Sequence, residues 1–142
     1  MILAACALLL VPVLAACNSS SDLSSGAAGP HGGPGLVASW SLTSAATDSS
    51  DLSAFSITLM FTDTEASGSG GVNQYTTTYV SGPSGDLDFG EIASTMMAGA
   101  DDAMKAEQAY FAALATVTAY TVSGNELELF ADETQTLTFA KQ

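Results

Sequence analysis

The residues of this 142-residue chain best suited to covalent chemistry are two cysteines, Cys6 and Cys17, and the same four letters, LAAC, end at each of them. A thiol can act as a nucleophile, form a disulfide or carry a covalent group. The one histidine, His31, lies in a Gly- and Pro-rich stretch with no further metal ligands nearby. Because the later part of the chain has no histidine or cysteine, no nucleophilic triad can be assembled there. We therefore predict a protein that is not an enzyme, without catalytic residues, metal or cofactor.

The first 17 residues form an apolar run without a charged side chain. As a helix they would reach about 25 Å, short of the roughly 30 Å hydrocarbon core of a bilayer, so the run is typical of a secretory signal peptide. Leu14 to Cys17 resembles the bacterial lipobox. The resemblance implies cleavage before Cys17, a thioether link from its sulfur to diacylglycerol, and acylation of its new amine. Cys6 has too little apolar chain ahead of it to serve in export. We predict a lipoprotein signal peptide over residues 1–16.

The segment after Cys17 contains five serines, five glycines and two prolines over residues 18–35. Such a composition cannot bury a core, so we predict a lipidated cysteine and a disordered tether over residues 17–35, with a mean reach of roughly 20 to 25 Å. The remaining residues, 36–142, fit one folded domain. The expected location is the bacterial cell envelope, lipid-anchored on the exported side. Asn18 is not the aspartate that marks inner-membrane retention in enteric bacteria, which allows the outer membrane where the host has one.

The net charge is −13, from 15 acidic residues against Lys105 and Lys141, with no arginine. Phosphate recognition needs Lys or Arg, so nucleic acid is excluded as a partner. The expected partners are the membrane, through the anchor, and an envelope protein. Asp86 and Asp88 share one strand face and could approach the acidic start of a helix, but no calcium-binding loop motif accompanies them.

Period-two alternation of apolar and polar residues dominates the domain and predicts strands with one buried face. In the second segment, for example, Ile57, Leu59 and Phe61 fall on one face, and Thr58 and Met60 fall on the other. The residues Ser123–Asn125 predict a tight hairpin, and the glycines of SGSGGVN a bulge or turn. The alternating segments are LVASWSLT, FSITLMFT, NQYTTTYV, DLDF, AYTV, ELELF and TLTF. We predict a mainly β, α+β fold: a curved antiparallel sheet or partial barrel of six to seven strands with one packed α-helix.

That helix is predicted for the segment DDAMKAEQAYFAALATV, which is rich in helix-forming residues. Asp101 is the expected N-cap. Met104, Phe111 and Leu114 are expected to form the stripe that faces the sheet.

From Trp40 onward the chain resembles the META domain family, known from heat-shock-inducible HslJ-like envelope proteins. The landmarks are the TLMF strand, SGSGGVNQYTTTY, LDFGEIASTMMAG, MKAEQAYFAAL, VTAYTVSGNELELF and the closing TLTF. The resemblance implies a compact antiparallel β-fold with one helix. Where the family usually has two cysteines, this chain has Val72 and Gly99. If those cysteines are partners in the family, Val72 and Gly99 should be close, and a bridge between them would be worth roughly 3 kcal/mol.

Asn73, Tyr75 and Glu107 occupy landmark positions and could line a binding surface, although for Asn73 and Glu107 a structural role is the favoured interpretation, because Asn often satisfies turn backbone and Glu on a helix is often solvated. Three classes of function stay open at this point. The first is a noncatalytic envelope lipoprotein that acts in protein interaction or envelope stress. The second is a binder of a small apolar ligand on the concave sheet face, with Phe55, Phe61 or Tyr75 lining a cavity. The third is a hydrolase that uses two carboxylates facing one cleft.

Overall fold

The computed structural model describes Gly33, residues 35–46 and residues 51–142. Cys6, Cys17, His31, the predicted signal peptide and most of the predicted tether lie outside the described residues. Near the start of the domain, the Leu36 amide donates to the carbonyl of Gly33 at 3.0 Å, and the Leu36 side chain is fully buried. Neither helix in the described part of the chain has the length and apolar character needed to cross a bilayer.

Among the described residues, nine strands and one α-helix build the domain, with a single 3₁₀ turn at Leu52–Ala54. The helix, α1, spans Asp101–Leu114 and lies between the sixth and seventh strands. The strands are β1 (Ser39–Ala45), β2 (Thr58–Phe61), β3 (Glu65–Ser69), β4 (Gln74–Ser81), β5 (Leu87–Phe89), β6 (Ala93–Ser94), β7 (Ala119–Ser123), β8 (Glu126–Ala131) and β9 (Thr134–Lys141).

All strand pairings are antiparallel, in the order β5-β4-β3-β2-β1-β9-β8-β7, with β6 also paired to β4. The two ends of this order meet. The Leu87 amide donates to the carbonyl of Thr118 at 3.0 Å, and the Tyr120 amide donates to the carbonyl of Gly85 at 2.8 Å. The sheet therefore curls into a nearly closed barrel, which leaves few unpaired strand edges.

The predicted alternation is confirmed, because the inner faces of the strands supply most of the core. Trp40, Leu59 and Leu129 are fully buried, and so are the inward residues of β9, Leu137 and Phe139. The predicted mainly β fold with one helix is also confirmed, with nine strands instead of six to seven. The two strands that alternation does not reveal are β3, EASGS, which buries only an alanine, and the two-residue β6, which is exposed.

Two details of the helix prediction are wrong. Asp101 is the first helical residue, and the N-cap is Ala100, whose φ of −62° and ψ of 146° are extended and whose side chain makes no capping bond. The buried stripe of α1 consists of Ala106, Glu107, Tyr110 and Leu114, whereas Met104 and Phe111 are only half-buried. The stripe is rotated because a carboxylate, Glu107, points inward, which the apolar pattern alone does not predict.

Candidate functional site

A buried carboxylate connects the helix to the sheet. Glu107, 4 % exposed, lies in the middle of α1 and faces the hairpin between β3 and β4. Its Oε2 accepts from the backbone amides of Val72 at 3.2 Å and Asn73 at 2.6 Å, and its Oε1 accepts from Nδ2 of Asn73 at 2.7 Å. Three donors compensate the cost of removing this carboxylate from water.

Asn73, 3 % exposed, uses the full hydrogen-bonding capacity of its amide. Its Oδ1 accepts from Oγ1 of Thr95 at 2.8 Å and from the amide of Met97 at 2.7 Å. Its Nδ2 donates to Glu107 and, at 3.3 Å, to the carbonyl of Met97. We call Asn73, Glu107, Thr95 and the Met97 backbone the clamp, because they hold the helix, the β3–β4 hairpin and the segment before the helix together.

The glycine-rich segment forms the turn that the clamp needs, which confirms the predicted turn. The Gly70 amide donates to the carbonyl of Asn73 at 2.8 Å, and Gly71 has a φ of 110°, a conformation that favours glycine. A Cβ at Gly70 would lie 2.8 Å from Oε2 of Glu107. The hairpin thus places the backbone N–H groups of Val72 and Asn73 within hydrogen-bond distance of the Glu107 carboxylate.

Tyr75 and Tyr110 form a second buried polar pair beside the clamp. The Tyr75 hydroxyl donates to the carbonyl of Thr58 at 3.0 Å, and the two hydroxyl oxygens are 2.6 Å apart. Since Tyr75 has one proton, which Thr58 accepts, Tyr110 donates to Tyr75. Burial raises the pKa of Tyr75 and also that of Tyr110.

Removing the two hydroxyls should have unequal effects. Tyr75→Phe leaves the fully buried Tyr110 hydroxyl without an acceptor, so we expect a loss of about 1–3 kcal/mol in the free energy of unfolding. Tyr110→Phe keeps the bond from Tyr75 to Thr58 and should cost about 0.5–1.5 kcal/mol. The double variant should be more stable than Tyr75→Phe alone. Urea unfolding measures all three, with Tyr79→Phe, which loses one bond to the Thr62 carbonyl, as the control.

The same pair predicts an alkaline limit to stability. Both tyrosines have a pKa above 10 in the folded state, so their contribution is complete below about pH 10 and falls as the pH rises further, when only the unfolded chain ionises. Tyr75→Phe/Tyr110→Phe should flatten the decline above about pH 10. An equal decline in the double variant and the parent would contradict this assignment.

The structure brings the three predicted surface residues together but buries them. Asn73 and Glu107 are in direct contact, and Tyr75 joins them through Tyr110 and Phe111, whose ring centroids lie 5.7 and 5.3 Å from its own. Sequence reasoning did not identify Tyr110 or Thr95. Tyr110 could have been found, because it follows Glu107 by three residues and so shares its helix face. Thr95 carries no comparable signal.

The three aromatic residues predicted to line one apolar cavity do not lie together: two are buried in the core, and the third lies at the surface. Phe61 and Tyr75 are buried in the barrel, with Phe61 packed edge-on against Tyr79 at a centroid distance of 5.0 Å. Phe55 is half-buried and borders a surface depression of about 560 Å³ that Asp51, Asp101 and Asp102 also line. These three carboxylates are exposed to solvent, unlike the buried acid of a typical glycosidase.

The acidic side chains do not assemble into a metal site within the described residues, where no group of three or more His, Cys, Asp or Glu could hold an ion. Asp86 lies at the barrel seam, in an isolated bridge with Ala119. Asp101 and Asp102 line the depression beside Phe55.

The fold is a small, nearly closed antiparallel β-barrel in which one helix is joined to the sheet by a buried Asn–Glu pair. The family model of the META domain matches residues 36–142, so the chain belongs to the META domain family. The usual second cysteine position of the family, Gly99, lies against Val72: a Cβ at Gly99 would be 3.4 Å from that of Val72. This contact confirms the proximity inferred from the sequence.

Solved structures share the fold of this chain. A protein from Burkholderia xenovorans, solved by NMR, is 27% identical with a TM-score of 0.57, over 75% of this chain and 82% of that one. A second NMR structure, 20% identical with a TM-score of 0.52 over 74% and 89% of the two chains, shares the fold. So does a DUF4847 family protein from Bacteroides vulgatus, 14% identical with a TM-score of 0.52 over 75% and 94%. No curated protein matches the chain.

Proposed function

We propose that the protein is a noncatalytic lipoprotein of the bacterial cell envelope, with a META domain that serves protein interaction or envelope integrity under stress. The proposal that the protein is noncatalytic is supported by the hydrogen bonds within the clamp. The side chains of Asn73 and Glu107 form hydrogen bonds with other residues of the domain, whereas catalytic side chains have polar atoms that face a substrate. In the described residues no buried side-chain nitrogen or oxygen lacks a partner, so none is held ready for a ligand.

The envelope location is supported by the sequence of the leader. An apolar run ends in Leu-Ala-Ala-Cys at Cys17, and the following residues have the composition of a flexible tether. Two or three acyl chains anchor far more firmly than one, which gives only marginal binding. The META domain would then be held beside the membrane without a spanning helix.

Metabolic labelling with an alkyne analogue of palmitate tests the anchor. We expect the full chain to be labelled and to fractionate with membranes, Cys17→Ser to lose both properties and retain its leader, and Cys6→Ser to behave as the parent. Cys6→Ser is the matched control, because it changes the same residue type in the same LAAC context. Label that persists in Cys17→Ser, or disappears in Cys6→Ser, would contradict the proposal.

Cross-linking in intact envelopes tests the interaction role. The anchored parent should give a defined cross-linked species that Cys17→Ser does not give at equal expression. An anchored, folded protein without such a species would refute the interaction role and leave the anchor intact.

A further inference from the structure

Three of the five methionines lie within nine residues of one another and around one surface depression. Met96, Met97 and Met104 line a depression of about 410 Å³, together with Asn73, Glu107 and Phe111. Met96 is 99% exposed and Met97 57%, while Met104 is half-buried. Together they form a contiguous exposed apolar patch, the kind of surface that marks a binding site more than a single exposed side chain does.

The clamp fixes the backbone that carries these side chains. The Asn73 amide binds both the N–H and the C=O of Met97, at 2.7 and 3.3 Å. Thr95 pairs with Gln74 of β4, since its amide donates to the Gln74 carbonyl at 3.0 Å. Met104 precedes Glu107 by three residues on α1, so the anchor of the helix also sets its position. Side chains from two elements are therefore arranged around the depression by one buried network.

The donor chemistry at this depression is soft. Thioether sulfur prefers soft metal ions and selects Cu(I) among the metals available to proteins. The described residues contain no cysteine or histidine, which makes these thioethers their softest ligands. The charge favours a cation, because the carboxylate of Glu107 borders the depression and the net charge of the protein is −13.

We infer that Met96, Met97 and Met104 form a binding site for a soft monovalent cation, Cu(I), which Ag(I) can replace as a redox-inert probe. The long, flexible methionine side chains let the three sulfurs converge on one ion above the fixed backbone. No electron transfer is involved, since the ion binds and leaves in one oxidation state. The site goes beyond the proposed envelope role and does not depend on the lipid anchor.

The test uses the full chain with Cys6→Ser and Cys17→Ser, which removes the two thiols, in nonionic detergent and chloride-free nitrate buffer. Silver nitrate is titrated while the methionine methyl groups are followed by NMR and the affinity by calorimetry. Met60, on the outer face of β2 and 43% exposed, is the internal control. We expect the methyl signals of Met96, Met97 and Met104 to shift together and saturate at one equivalent, with the Met60 signal unchanged.

Substitution by leucine separates a metal site from an apolar surface, because leucine keeps the size and hydrophobicity of methionine and removes the sulfur. Met97→Leu should weaken Ag(I) binding by about tenfold or more, comparable with the effect of disturbing other metal sites, and Met60→Leu should leave it unchanged. Binding that survives Met96→Leu/Met97→Leu/Met104→Leu, shifts of all four methyl signals in parallel, or no shifts at all would overturn the inference. In the last case the methionines would be an apolar contact surface.

Discussion

Exchanging the amide and the carboxylate between positions 73 and 107 is expected to restore most of the stability that either single change removes. Asn73→Asp places a second carboxylate against Oε1 of Glu107, where the two groups now lie 2.7 Å apart as donor and acceptor. Glu107→Gln places an amide donor against Nδ2 of Asn73, and the Asn73 amide cannot turn over because its Oδ1 already accepts two bonds. We expect each change to cost about 3 kcal/mol, as expected when a buried charged network loses one partner.

The double variant reverses the direction of one hydrogen bond and keeps the others. The side-chain oxygen of the glutamine at position 107 can accept from the backbone amides of residues 72 and 73. Its NH₂ group can donate to the new carboxylate at position 73. That carboxylate still accepts from Thr95 and Met97, and only the weak 3.3 Å bond to the Met97 carbonyl is lost. The double variant should therefore cost only about 1 kcal/mol, the value of one weak hydrogen bond, which corresponds to a favourable coupling free energy of about 5 kcal/mol between the two sites.

Urea unfolding of the four proteins in the cycle measures this coupling. Gln108→Glu is the matched control for a charge change on the same helix, because Gln108 is exposed, and it should stay within about 0.5 kcal/mol of the parent. A double variant that is as unstable as the sum of the two single changes would show that the Asn73–Glu107 bond does not hold the helix to the hairpin.

Joining positions 72 and 99 by a disulfide is expected to raise stability by about 3–4 kcal/mol, the chain-entropy value for the 27-residue separation. A Cβ at Gly99 would lie 3.4 Å from that of Val72, close to the separation found in disulfides. Gly99 lies outside the left-handed backbone region, so it can accept a side chain without backbone strain. For a domain of this size the gain corresponds to a rise of roughly 10 °C or more in Tm.

The single variants are the controls for Val72→Cys/Gly99→Cys. Gly99→Cys alone should destabilise, because its Cβ would lie 2.8 Å from both methyl groups of Val72. Val72→Cys alone keeps Gly99, so no such crowding arises, and it should cost about 1 kcal/mol for the lost methyl group. Thermal unfolding with and without a reductant isolates the bridge. A double variant that stays reduced in air, or melts no higher oxidised than reduced, would refute the expected geometry.

Local pattern predicted the strands well because the alternation of side chains follows directly from strand geometry. Trp40, Leu59 and Phe139 lie in the core as their alternation indicates. The pattern failed where an element buries little apolar surface, as in β3 and β6, and where a polar group is buried, as at Glu107. A buried carboxylate is stable only beside donors that another part of the chain supplies, and periodicity within the helix does not contain that information.

By itself the sequence determined the apolar face of each strand, the place of the helix, the net acidic charge and the META resemblance. Only the tertiary structure decided that β5 meets β7, that Asn73 and Glu107 are committed to each other, and that three methionines surround one depression. The physical reason is the separation of the contacting residues along the sequence. Side-chain alternation is a local property of the backbone, whereas closure and the clamp join residues more than twenty positions apart, and their contacts depend on the twist and register of the whole sheet.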